Sequence, residues 1–85
     1  MKKHIKIYLE HFDYDTDDFI PCEVCGSKAV DIHHIKARGM GGSDDKDTIE
    51  NLMALCRMCH LVMGDNKKYM QTLIDKHKIK MDGKR

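Results

Sequence analysis

Four cysteines form two Cys-x-x-Cys pairs, Cys22/Cys25 and Cys56/Cys59; the doublet His33-His34 lies between them, and His60 directly follows the second pair. Thiolates at this spacing make two knuckles, each placing two sulfurs close together, and four sulfurs complete the tetrahedral shell that Zn2+ prefers. Cys22, Cys25, Cys56 and Cys59 are therefore expected to hold a structural zinc that ties off the intervening chain as one loop. With that shell complete, His60 is not needed as a zinc ligand. The enclosed histidines then form a second, working site, so that one chain carries two separate metals.

The frame around these residues is small. Eighty-five residues with no Trp, two Phe and a hydrophobic fraction of 41% make one domain with a thin core, the size at which a metal staple becomes a main source of stability. No apolar run is long enough to span a bilayer, and Met1-Lys2-Lys3-His4-Ile5 does not lead into a signal-peptide core, so a cytoplasmic protein with no membrane partner is expected. In a reducing compartment the short Cys-x-x-Cys loops favour metal ligation over disulfides. The formal net charge of +1 conceals an uneven distribution. Glu10 to Glu23 is acidic and holds no Lys or Arg, whereas the segment after Gly64 carries Lys67, Lys68, Lys76, Lys78, Lys80, Lys84 and Arg85. A basic end fits a polyanion, although a solvated helix face has the same composition. A tetrathiolate zinc centre is dianionic, so nucleic-acid binding would depend on a local basic face.

The elements that must position these groups follow from periodicity. Ile5, Tyr8, Leu9 and Phe12 fit a helical stripe, though His4 to Leu9 also alternates. Asp13 to Asp18 is an acidic connection, and Cys25-Gly26 is a knuckle turn. Ala29 to Ile35 has β-branched strand content, and Met53 to Leu55 suits a second strand ending at Cys56. Gly39 to Ser43 is a loop continued by Asp44 to Asp47. Met58, Leu61 and Val62 suit a short helix from Arg57 to Met63, with Gly64 as its C′ stop. Asp65 or Asn66 then caps a further helix whose stripe is Tyr69, Met70, Leu73, Ile74 and His77. His4, His11 and His77 are expected to be ordinary surface or core residues.

Asp31-Ile32-His33-His34-Ile35, then Gly41-Gly42, Asn51-Leu52 and Leu55-Cys56-x-x-Cys59-His60, taken in order, resemble the HNH endonuclease family across roughly residues 20–63. The resemblance implies a small α+β zinc-stapled domain with a ββα-metal (His-Me finger) core and flanking helices. It makes residues 1–85 a single nuclease domain, with a motif core at about 20–63 and a basic helical C-terminal segment at 65–85. It implies a metal-dependent DNA endonuclease that hydrolyses phosphodiester bonds with a histidine general base and one divalent cation. His34 takes the role of base, His33 and His60 hold the cation, and Asn51 orients or supports the His34 strand; by itself, Asn51 would read as a turn cap. Where some members carry another His one turn beyond the last ligand, this chain has Gly64, which favours loosely held Mg2+ or Mn2+. Lys36, Arg38, Lys67 and Lys68 are the candidate DNA contacts. A monomer or weak homodimer of low sequence specificity, suited to a phage or mobile element, is expected. The alternative is a non-catalytic zinc-stapled nucleic-acid-binding or accessory module. One geometric difficulty is visible in advance, because adjacent strand residues point to opposite faces.

Overall fold

The helical reading of the N-terminal stripe holds, and α1 (Lys3–His11) buries Tyr8 and Leu9, with Phe12 just past its end. The helix stops because Asp13 adopts φ 59, a left-handed conformation that Asp tolerates better than most side chains. Two bonds close that end: Tyr14 N–H donates to the Leu9 carbonyl (2.8 Å) and Asp13 N–H to that of Glu10 (3.3 Å). The computed structural model describes residues 2–36, 47–64 and 66–83. Arg38, the Gly39 to Ser43 loop, Asp44 to Lys46, Asp65, Lys84 and Arg85 lie outside the described residues.

After the acidic connection and the first Cys pair, β1 (Asp31–His34) pairs antiparallel with β2 (Leu52–Leu55) in the register Asp31↔Leu55, Ile32↔Ala54, His33↔Met53, His34↔Leu52. The ladder fringe continues past both strand ends, through Val30 N–H to Leu55 O (3.0 Å) and Ile35 N–H to Asn51 O (2.8 Å), so the expected strand from Ala29 to Ile35 is shorter only in its regular part. Alternation then sorts the side chains. Ile32 and Ala54 join Tyr8, Phe12 and Leu52 beneath α1, while Met53 and Leu55 join Cys22, Ile35, Cys56 and Leu73 on the other side. All four β2 residues are buried because the hairpin is covered on both faces.

The second Cys pair opens α2 (Arg57–Cys59), whose first turn is capped by a sulfur: Cys59 N–H donates to Cys56 Sγ at 3.4 Å. The helix continues as a π-helical turn, His60–Gly64. Gly64 is buried inside that turn, and among the described residues Gly26 alone of the glycines has a positive φ, so Gly64 is not the left-handed C′ stop its position suggested. Its role is steric, since a Cβ there would lie 2.5 Å from Cδ2 of His60. Asn66 caps the 3-10 turn Lys67–Tyr69 by accepting from Lys68 N–H (3.0 Å), and α3 (Met70–Gly83) follows with Leu73 and His77 facing inward.

A buried polar network joins these layers. Glu23 accepts from the Tyr8 hydroxyl and from Ala54 N–H, and its other oxygen meets His77 Nδ1 at 2.7 Å, while His77 Nε2 meets the Ile49 carbonyl at 2.7 Å. Burial lowers the affinity of His77 for its proton, but the hydrogen bond and charge of Glu23 outweigh it, and the pKa rises above its ordinary value. Burial and the Glu23 charge push Tyr8 upward as well. Lys80 is drawn into the same packing, donating to Tyr14 Oη at 2.8 Å and lying over Phe12. The described residues thus form a small α+β fold with a two-stranded antiparallel sheet and three helices.

Candidate functional site

Each knuckle is shaped by its own backbone. In the first, Cys22 N–H donates to Ser27 O and Gly26 N–H to Cys22 O, with Gly26 at φ 82 turning the chain as a side-chain-bearing residue would resist. Glu23 N–H then donates to Ala54 O (2.9 Å), which brings this turn against the end of β2, where the second pair begins. One ligand atom from each of Cys22, Cys25, Cys56 and Cys59 falls within 4.8 Å of all the others. A tetrahedron with Zn–S near 2.3 Å has S···S edges of about 3.8 Å. Cys25 and Cys56 sulfurs are 3.6 Å apart, and all four cysteines are free thiols. The protons in this cluster are divided unequally. Hydrogen bonds from Ser27 hold the Cys25 thiol down to about 6, whereas burial and the three neighbouring thiols push Cys59 well up. Deprotonated together, four thiolates this close would require a cation between them, and the donor set is positioned to hold one.

The histidines separate onto the two faces of β1. Asp31 and His33 share the face toward the π-helical turn, where the His33 and His60 rings stand with centroids 5.0 Å apart. His60 Nδ1 lies 3.1 Å from Asp31 Oδ2, the arrangement in which a carboxylate orients an imidazole and leaves its other nitrogen for a ligand. Two imidazoles could hold a divalent cation, with most of its coordination positions left to other ligands. Among the described residues, the four cysteines alone bring three or more ligand atoms so close together, so the His33 and His60 pair has few further protein donors around it. A histidine side chain at position 64 would strike His60.

His34 emerges on the α1 side at the end of the strand. Its Nε2–H donates to Asp47 Oδ1 at 2.6 Å; the side chains are 15% and 3% exposed. The carboxylate can only accept, so neutral His34 carries its lone pair on Nδ1. The His4 ring packs against it at 4.7 Å. Burial and the neighbouring His34 lower the His4 pKa. Asn51 clamps the chain beyond the doublet: its Oδ1 accepts from Lys36 N–H (2.8 Å) and its Nδ2 donates to Lys36 O (3.0 Å). Lys36 is exposed there, and Lys67 borders a shallow depression with His60, Leu61, Val62 and Asn66.

Sequence reasoning passes over three of these residues. Asp31 stands two places before His33, and strand parity alone would put it on the same face. Asp47 reads as part of a charged loop, and nothing in the spacing signals its approach to His34. His4 reads as an ordinary residue; the fold places it against His34.

His33 on one face of the hairpin stands beside His60 of the adjoining turn, His34 on the other face is bound to Asp47, and close by lie four cysteines positioned to hold a metal ion, which together define a small α+β domain with a histidine cluster. The chain belongs to the HNH endonuclease family, whose sequence model matches residues 22–66, more than half of its length. No curated protein and no solved structure matches it. Membership points to a nuclease or nucleic-acid-related function. Among the described residues no helix is long and apolar enough to cross a membrane.

Proposed function

We propose that this protein is a metal-dependent endonuclease that hydrolyses phosphodiester bonds in DNA, built on a ββα-metal core in which the β1–β2 hairpin and the His60 turn frame the reacting phosphate. The observation that carries this reading is the division of labour around the end of β1: His33 and His60 adjacent on one face, and His34 held by Asp47 on the other.

The four cysteines would hold zinc, which would tie together the two ends of the hairpin between them. His33 and His60 would hold the catalytic cation, Mg2+ or Mn2+, with Asp31 orienting His60. Bound there, a divalent cation supplies positive charge to the phosphate as it becomes more anionic. His34 accepts a proton from water at Nδ1 as that oxygen bonds to phosphorus and the P–O bond to the 3′-oxygen breaks; the departing oxygen takes a proton from solvent, giving 5′-phosphate and 3′-hydroxyl ends. Asp47 stabilises the imidazolium formed. Because His33 and His34 diverge, the phosphate lies across the strand end, where Asn51 secures the main chain at Lys36. Lys36, Lys67 and Lys68 serve as backbone contacts.

The test is a plasmid-nicking assay across divalent metals with His34→Ala as control. The wild type should nick, and His34→Ala should lose about 10²- to 10⁴-fold in rate with zinc content and DNA affinity kept. DNA binding without cutting under any metal would leave the non-catalytic binding module instead.

A further inference from the structure

The segment that matches the family begins at residue 22, yet the first turn of α1 reaches the end of β1. His4 and Tyr8 on α1 and Phe12 at its C-cap recur every four residues, and the last two are 0% and 1% exposed, so core packing sets where His4 stands. Its ring meets that of His34 at 4.7 Å with an interplanar angle of 47°. The bond from His34 Nε2 to Asp47 fixes one edge of the base. A single hydrogen bond at one edge leaves the ring able to rock about χ2, whose wells are broad for an imidazole, and rocking carries Nδ1 out of line. A second ring laid against the first removes that motion. Among the described residues, His4, His34 and Asp47 do not gather three ligand atoms within 4.8 Å as the cysteines do, so this is ring packing and not another metal centre.

We propose that His4 is a positioning residue for hydrolysis, its ring clamping that of His34 so that Nδ1 keeps the orientation set by the Asp47 bond. The inference rests on the hydrolytic role assigned to His34, and α1 becomes part of the active domain instead of a flanking support.

Two variants of the zinc-loaded full chain, His4→Ala and His4→Phe, test this by single-turnover nicking at saturating DNA and Mg2+ or Mn2+, beside melting, DNA affinity and side-chain 15N NMR of His34. His4→Ala should slow the chemical step by about 10- to 100-fold, the scale of a misplacement near 1 Å, with affinity, zinc content and melting unchanged. His4→Phe keeps a ring in place and should return most of the rate. In the wild type and His4→Phe the His34 spectrum should report one tautomer with Nε2 protonated, and in His4→Ala a mixture. A wild-type rate and spectrum in His4→Ala overturns the proposal. So does a His4→Phe variant as slow as His4→Ala, which would give the His4 nitrogens a direct part, or a rate loss that tracks lost melting. If the wild type cuts no DNA, the nuclease reading fails by itself, and the His34 spectra still decide whether His4 holds that ring.

Discussion

Replacing His77 by Ala should cost about 3–5 kcal/mol of folding free energy, the range for removing one partner of a buried ion pair. His77 is 2% exposed, and its two nitrogens each stand 2.7 Å from a group that can only accept: the Glu23 carboxylate and the Ile49 carbonyl. A neutral imidazole has one N–H, so both bonds are made together only by the imidazolium. Without it, Glu23 keeps the Tyr8 hydroxyl and Ala54 amide but becomes a buried carboxylate with no countercharge. For a domain whose total stability is about 5–15 kcal/mol, that is a severe loss. Glu23→Gln should be milder, about 1 kcal/mol, because its oxygen can accept from Tyr8 and Ala54 while its amide donates to Nδ1 of a neutral His77. The two proteins should also differ in pH dependence. Since the His77 pKa is raised by Glu23, its stabilisation is fully present below about 6.5 and is lost as pH rises through the folded value. Urea denaturation of zinc-saturated protein from about pH 5.5 to 9 measures this, and the difference between wild type and Glu23→Gln removes the pH dependence of zinc ligation common to both. A His77→Ala variant within 1 kcal/mol of wild type, on a scale where about 3 is expected, would refute the reasoning. An identical fall with pH in Glu23→Gln would refute the charge assignment.

Metal analysis should find one zinc per folded chain, and a chelator should unfold the protein; a folded, zinc-free chain would contradict the staple. Gly64→Ala brings a Cβ to 2.5 Å from His60 Cδ2 and should turn that ring away, raising the Mg2+ or Mn2+ concentration needed for half-maximal nicking at unchanged zinc content. Asp31→Ala should raise the same requirement by about 10-fold or more through loss of the His60 orienting bond, and an unchanged metal dependence would remove Asp31 from the site. Neutralising Lys67 and Lys68 together should weaken all DNA sequences alike and reduce the salt slope by about 2; an unchanged slope would make them a solvated face.

The parts of this protein legible in its sequence are those governed by short stretches of backbone. A Cys-x-x-Cys knuckle is a local turn, so the four-cysteine cluster follows from two such turns and one hairpin to join them. The stripe of Ile5, Tyr8, Leu9 and Phe12 and that of Met70, Leu73 and His77 reflect the 3.6-residue period, and both segments are helices. Even the divergence of His33 and His34 is local, fixed by the alternation of a strand. Contacts between layers carry no such periodic mark. Asp47 approaches His34 across 13 residues, and Glu23 meets His77 across 54. His4 touches His34 only because Tyr8 and Phe12 bury α1 against that face of the hairpin. Gly64 has the position of a helix stop, and only the neighbouring His60 ring reveals that a side chain there would have no room. Backbone geometry determines which residues share a turn or a face, whereas the choice of partner across an interface is made by packing, and that is settled only when the whole chain has folded.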